Sequence, residues 1–472
     1  VGPVTVCDRR EAVRVVARGP EAGGGRVVGE TVVGEARGSA PAWRGGFGRL
    51  WGAAAVSSFG DAVRVAALPL LATTLTREPL LIAAVSACGY LPWLLLGLLG
   101  GALADRVDQR RAMVAVDLVR GALVAAFALA VATGHASIGL LLVLAFALTS
   151  METLFDNAAT ALLPALVPPE RLGSANSRLM TGQQLVKTVV GLPAAPLLLA
   201  GGAALPFATD AASYLLAAAL VAPLRRVLPA RPPRPAASTL RAEIGDGLRT
   251  LGGDRVLRGL CAATTLCNVG VASLVATLVL VSGRHLRLGD GGYALLLTAY
   301  GVGGIGGGFL ATPLARRLGQ ARAVLLAGAG QILCLLVLGL APGGLVAGAA
   351  FAVFGCLGMV WNVSSRTLMQ RAVRRELLGR VSAAFRTCAV AGAPFGALLG
   401  GAVVRVVGPG APPFLAAAFF ALSVLALLPA VRAVAGGPAG ESGDGSRLLT
   451  KKDTGGAGVP VSRSGQDASG DP

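Results

Sequence analysis

The chain has 472 residues, 54% of them hydrophobic and only 14% charged, with a formal net charge of +18. Average soluble domains carry about 25% charged residues, so this composition argues against a soluble protein. The basic residues fall between apolar runs rather than along one polar face, so the charge does not describe a nucleic-acid surface.

The first 43 residues are rich in Gly and Arg and lack an apolar centre. A disordered extension is expected over 1–43 rather than a signal peptide. Apolar runs such as "LLIAAVSACGYLPWLLLGLLGGALA" follow. About 20 apolar residues span a bilayer. The runs lack the period-2 alternation of barrel strands, so helices must satisfy the backbone. Spanning helices are expected at 48–73, 79–104, 112–133, 137–164, 174–200 and 204–224. Six more are expected at 257–282, 291–314, 321–341, 344–369, 379–405 and 412–433. Between them lies "RRVLPARPPRPAASTLRAEIGDGLRTLGGDRVLR", Pro-rich and then amphipathic. The expected organisation is a half at 44–224, a linker at 225–256, a half at 257–434 and a disordered tail at 435–472. The fold class is an all-α polytopic membrane protein.

Arg and Lys set the orientation. One set of loops holds Arg106, Arg110, Arg111, Arg171, the linker, Arg316, Arg317, Arg322, Arg371, Arg374, Arg375 and Arg380. The alternate loops hold little beyond Arg77, Arg284 and Arg287. The rich set is read as cytoplasmic, with both termini inside a multi-pass cell-membrane protein. The seven cysteines are scattered without a CxxC pair, and neither disulfide nor metal site is expected. The segment "GALADRVDQRR", Gly101 to Arg111, aligns with "GFLATPLARRL", Gly308 to Leu318, at an offset of about 207. "PERLGSA" and "RELLGRV", and "FATDAASYLL" and "FLAAAFFALS", align at nearly the same offset. Three matches at one offset point to two six-helix halves of common origin, an arrangement many secondary transporters use.

"GGALADRVDQRR" resembles the signature of the major facilitator superfamily, usually written G-x-L-a-D-r-x-G-r-r, with Asp108 where a Gly is common. "ALLPALVPPERLGSANS", "TLRAEIGDGLRTL" and "TLMQRAVRRELLGRVSA" resemble its enterobactin-exporter-like and drug-efflux branch. The resemblance covers about 48 to 433. It implies the major facilitator fold of twelve transmembrane helices and a cytoplasmic charge latch formed by Gly101, Asp105, Arg106, Arg110, Arg111, Asp117 and Arg120. Asp105 would face the start of the eleventh span. A second reading keeps Arg110 and Arg111 as topology signals only.

Ionisable residues inside spans cost at least about 2.5–3.5 kcal/mol at a helix centre on insertion scales. Asp61 and Arg64 share a face of the first span at (i, i+3) and can pair, so they are either site residues or neutralised architecture. Glu152 and Asp156 lie one turn apart in the fourth span. Burial and mutual repulsion favour holding a proton on at least one of them. The competing reading is a lock with Lys187 or Arg178 of the fifth span. At the repeat offset Asp61 falls opposite Asn268, and Asp156 opposite Asn362. The resembling fold lines its cavity with spans 1, 4, 7 and 10. That implies proton handling in the first half, with Asn268, Trp361 and Asn362 holding cargo. Asp210 is expected to cap or pack a helix end, and the glycines of "GVGGIGGGF" to pack helices closely.

No nucleotide-binding motif, cofactor or catalytic site is expected, so energy must come from an ion gradient. The expected activity is proton-coupled efflux of a small amphipathic molecule by a monomer in the bilayer. An importer of the same fold and a non-transporting sensor or scaffold are the alternatives.

Overall fold

The computed structural model describes residues 46–104, 109–167, 172–224, 240–373 and 377–435. Every regular element within them is helical. The first set runs α1 (Gly46–Leu75), α2 (Pro79–Ala104), α3 (Gln109–Ala132), α4 (Ile138–Leu166), α5 (Leu172–Leu185), α6 (Leu192–Gly201) and α7 (Leu205–Val221). A π turn, Val186–Gly191, joins α5 to α6 without a break. An amphipathic α8 (Leu240–Gly253) occupies the end of the linker and packs on α9 (Arg255–Leu280) and α13 (Leu378–Val406). A second π turn, Val281–His285, extends α9. The second set is completed by α10 (Asp290–Leu318), α11 (Gln320–Leu340), α12 (Gly344–Ala372) and α14 (Pro412–Ala435).

Among the described residues, nine helices are long and apolar enough to cross a membrane. Shorter apolar stretches, Pro79–Leu95, Ile138–Thr153 and Leu205–Val221, fall at the second, fourth and sixth expected spans. The ends follow local chemistry. Ser137 caps α4 by accepting from Leu140 N at 3.3 Å, and Asp254 caps α9 from Val256 N and Leu257 N at 2.7 and 2.9 Å. Gly319, at φ 81°, lets α11 start one residue after α10 stops, a conformation that carries no steric cost for glycine.

Packing divides along the chain. α1 and α3 lie on α7, α2 on α4, α9 on α13 and α14, and α12 on α10 and α11. The two sets meet where α2 packs on α9 and α13, and where α6 and the first π turn pack on α10. Small residues make the first seam, with Ala83 and Ala87 of α2 against Ala276 of α9 and Ala397 of α13. At its end Arg405 Nε stands 3.6 Å from Glu78 Oε1. In the second set Phe351 stacks on Phe354 at 5.8 Å, and Phe354 meets Phe420 edge-on at 5.6 Å.

The glycine run of α10 brings two helix backbones together, as its sequence predicts. A Cβ on Gly303 or Gly307 would strike the carbonyl of Ala352 or Cys356 on α12, and one on Gly355 would strike Tyr300 O. Gly306, one position from Gly307, faces open space. Gly303→Ala should therefore destabilise by about 1–3 kcal/mol through overpacking. Gly306→Ala should be neutral or stabilising, because alanine is the better helix former. Melting of the purified variants in detergent checks the contrast, and equal melting temperatures would contradict it.

Candidate functional site

Charge inside the first set begins at Arg64. Its Nε donates to Asp210 Oδ2 of α7 at 2.9 Å and its Nη2 to Asp61 Oδ1 at 2.9 Å. Tyr214 Oη, one turn along α7 from Asp210, donates to the same Asp61 oxygen at 2.6 Å. Asp61, Arg64, Asp210 and Tyr214 are all buried. The α1–α7 approach depends on Gly60, where a Cβ would stand 2.5 Å from Asp210 Oδ1 and strike the Ser213 hydroxyl. Asp210 thus neither caps nor packs a helix end. It lies fully buried in the second turn of α7 and takes half of the Arg64 guanidinium. Sequence separation hides this partnership, because the two residues are 146 positions apart.

Arg120 and Asp117, grouped with the gate by the resemblance, are buried on α3, with Arg120 Nη1 3.8 Å from Asp117 Oδ1. The Arg120 guanidinium lies over the rings of Tyr214, 5.0 Å from the centroid, and Phe155, at 5.7 Å. It lines a cavity of about 120 Å³ with Ser57, Ser58, Asp61, Glu152, Gln183 and Lys187. Arg120 therefore belongs to the inner charge cluster. Of the other gate residues, Arg110 is half-buried with Nε making no hydrogen bond, and Arg111 is exposed. Gly101 lies in the α2 backbone, while Asp105 and Arg106 lie outside the described residues.

A larger cavity, about 290 Å³, opens beside this cluster between the two sets. Asp61, Arg64, Glu152, Gln184, Lys187 and Thr188 line one side, and Leu297, Tyr300 and Gly301 of α10 the other. Lys187 is the second residue of the first π turn, where Leu192 N–H reaches back to the Lys187 carbonyl. That widened turn departs from the 3.6-residue period and resets the faces of the residues it carries. Such bulges cluster at functional sites. Gly191 lets it sit against α1, since a Cβ there would lie 2.5 Å from Ala62 Cβ.

Glu152 and Lys187 are both half-buried and line both cavities, yet among the described residues no ion pair joins them. Glu152 lies within electrostatic reach of Arg64 and Arg120, and Lys187 within reach of Asp61. The side chain of Asp156 lies outside the described residues. Arg178 is exposed, with its carbonyl accepting from Trp51 Nε1 at 3.2 Å.

The second-set candidates stand apart from these cavities. Asn268 donates to Ala389 O of α13 at 2.8 Å, and Asn362 to Gly358 O of its own helix at 2.9 Å. Trp361 is buried against Gly328 of α11. The wall facing Glu152 is instead Leu297 and Tyr300, which carry no polar marker in an apolar span.

Comparison with known proteins follows this geometry. A family model described as Major Facilitator Superfamily matches residues 50–397. An uncharacterized MFS-type transporter of Mycobacterium tuberculosis is 34% identical over 134 residues, 28% of this chain and 30% of that protein. Macrolide efflux protein A of Streptococcus pyogenes is 28% identical over 28% of this chain and 32% of its own length. The enterobactin exporter EntS of Citrobacter koseri is 26% identical over 64% of this chain and 72% of its own length. By fold, a point variant of the nucleoside transporter NupG superposes with a TM-score of 0.71 at 10% identity, covering 82% of this chain and 99% of that one. An inward-facing bacterial homologue of the iron transporter ferroportin superposes at 0.64 and 15% identity, covering 82% and 98%.

The two kinds of charge in the cluster should respond differently to removal. Arg64→Leu leaves Asp61 and Asp210 buried without their shared cation, a loss of about 3–5 kcal/mol. Lys187→Met removes a half-buried, unpaired ammonium and should move the melting temperature little. Thermal unfolding of the two variants checks this, and a Lys187→Met protein as unstable as Arg64→Leu would contradict it.

Proposed function

The chain belongs to the major facilitator superfamily of membrane transporters, and we propose that it is a proton-coupled exporter of a small amphipathic molecule. Twelve spans form two six-helix halves, 44–224 and 257–434, joined by a linker on the cytoplasmic side, where both termini also lie. The halves rock about a central site, exposing it to either face of the cell membrane in turn.

The observation that carries the reading is Glu152, without an ion-pair partner among the described residues, in a cavity it shares with Lys187 and that both sets line. The described cluster holds four carboxylates, Asp61, Asp117, Asp210 and Glu152, against three cations, Arg64, Arg120 and Lys187. One proton balances it, and Glu152 is the acid with cavity access and no fixed partner. Asp61 and Asp210 are committed to Arg64, and exchanging a proton there would break the bond that ties α1 to α7. Protonation of Glu152 from outside neutralises the cluster and permits the closed, water-poor passage through the membrane. Cargo and water arriving from the cytoplasm stabilise its ionised form and draw the proton off inward. The apolar side of the cavity, Leu192 and Leu297 with Tyr300, suits the body of an amphipathic cargo. The names of the macrolide and enterobactin exporters support the outward direction.

The test is transport in proteoliposomes under an imposed pH gradient, with a labelled macrolide and enterobactin as probes. Wild type should move at least one probe faster with the gradient than without it. Glu152→Gln should keep gradient-independent exchange and lose the acceleration. Full gradient-driven efflux by a Glu152→Gln/Asp156→Asn double variant would overturn the proton assignment, and gradient-driven uptake alone would overturn the direction.

A further inference from the structure

A third cavity, about 250 Å³, lies apart from the 290 Å³ one, between the last turns of α1 and the junction of α9 with α10. Leu70 and Thr73 line it from α1, Val279, Leu280, Ser282 and Arg284 from α9 and its π turn, Leu288 from the loop that follows, and Tyr293 from α10. Among the residues lining it, Arg284 is the one that carries a charge.

Ser282 is the informative group. It is 1% exposed, and its hydroxyl has no hydrogen-bond partner. Other hydroxyls along α9 spend their proton on a carbonyl of the preceding turn: Thr264 on Leu260 O, Thr265 on Cys261 O, Ser273 on Gly270 O and Thr277 on Ser273 O. Ser282 stands in the π turn, where Leu286 N bonds back to Val281 O at 2.9 Å and Leu288 N to Ser282 O at 2.9 Å. A buried polar group without a partner costs about 1–3 kcal/mol. Two residues along the same turn, the exposed Arg284 guanidinium has no ion-pair partner among the described residues. Thr73 already donates to Leu70 O at 2.7 Å, so the open side-chain donors are Ser282, Arg284 and the Tyr293 phenol.

This cavity and the 290 Å³ one both border α10. Tyr300 lines the central cavity and Tyr293, two turns earlier, lines this one. Tyr90 of α2 lies within electrostatic reach of both. Three phenols thus occupy the ground between the sites.

We propose that this cavity is a second binding site, on the exit side, for a small carboxylate with an apolar body. A hydroxyl and a guanidinium on one turn suit a carboxylate, and Leu70, Val279, Leu280 and Leu288 suit what it is attached to. The volume lies below the roughly 300–1,000 Å³ of drug-sized sites, so the occupant is fragment-sized or one end of a longer cargo. The exit-side placement rests on the orientation proposed above; the binding does not.

Photolabelling of the purified full chain with 4-azidobenzoate tests it, with adducts mapped by peptide mass spectrometry. Adducts should fall within residues 279–293 and be competed by benzoate but not by benzylamine. Ser282→Ala and Arg284→Gln should each cut labelling by about tenfold, the scale of one lost hydrogen bond to a charged group. Arg284→Gln should keep the wild-type melting temperature, since Arg284 is exposed, and Ser282→Ala should keep or raise it, since it removes a buried hydroxyl without a partner. Glu152→Gln should label like wild type whatever it does to transport, which separates this site from the coupling reading. No specific adduct in wild type, unchanged labelling in the Ser282→Ala/Arg284→Gln double variant, or equal competition by benzylamine would overturn the proposal.

Discussion

Arg64 holds one guanidinium between carboxylates on two helices, and much of the first set is arranged to make that burial tolerable. A charge removed from water costs several kcal/mol unless its partners are close and its remaining donors are filled. Asp61 at (i, i+3) is supplied by the helix repeat, but Asp210 is reached only because Gly60 gives up its side chain and lets α7 come in. Tyr214 then fills the second claim on Asp61 and offers its ring face to Arg120. The same few groups therefore fix the α1–α7 spacing, place α3 through Arg120, and set the charged wall of the central cavity.

The seams between helices use the opposite material. Glycine and alanine let backbones touch along α10–α12 and along α2–α9–α13, where van der Waals contact replaces the hydrophobic drive that lipid does not supply. Regular helices packed in this way position side chains rigidly. Among the described residues, the π turns occur within the fifth span and at the end of α9. The first carries Lys187 to the central cavity and the second carries Ser282 and Arg284 to the outer one. Helical regularity is given up at positions that face open space.

The apolar runs place every expected span within four residues of an observed helix, because hydrocarbon leaves the backbone so few options. Asp61, Arg64, Glu152 and Lys187 were legible for the same reason, as charges standing where charge is costly. Partners across the bundle were not. Asp210 showed as an oddity in an apolar stretch, but nothing local announces an arginine 146 residues away. Arg120 beside a basic loop read as a gate residue, since the sequence cannot show that its side chain turns inward over Tyr214 and Phe155. The repeat offset pointed to Asn268 and Asn362, which do not line the two cavities around Glu152. An offset equates positions along two helices but does not show the local partners, here Ala389 O for Asn268 and Gly358 O for Asn362. Tyr300 and Ser282 were invisible, because an aromatic or a serine in an apolar helix is ordinary until a cavity is seen beside it.

The cluster thus contains charges of two kinds, and the division has a mechanical reason. Asp61, Arg64 and Asp210 are tied by short bonds and cannot exchange partners without parting α1 from α7. Glu152 and Lys187 share the same field, have room around them, and are not joined. A proton-coupled carrier of the kind proposed above needs a fixed field, so that the cost of a proton at its site is set by the fold. It also needs at least one group whose charge can change without breaking that fold. Were all the charges tied, the bundle would be stable and inert; were none tied, burying them would be too costly for the helices to hold their spacing. The Arg64 bridge supplies the fixed part, and in the proposed function Glu152, on the same cavity wall as Lys187 of the π turn, supplies the part that can change.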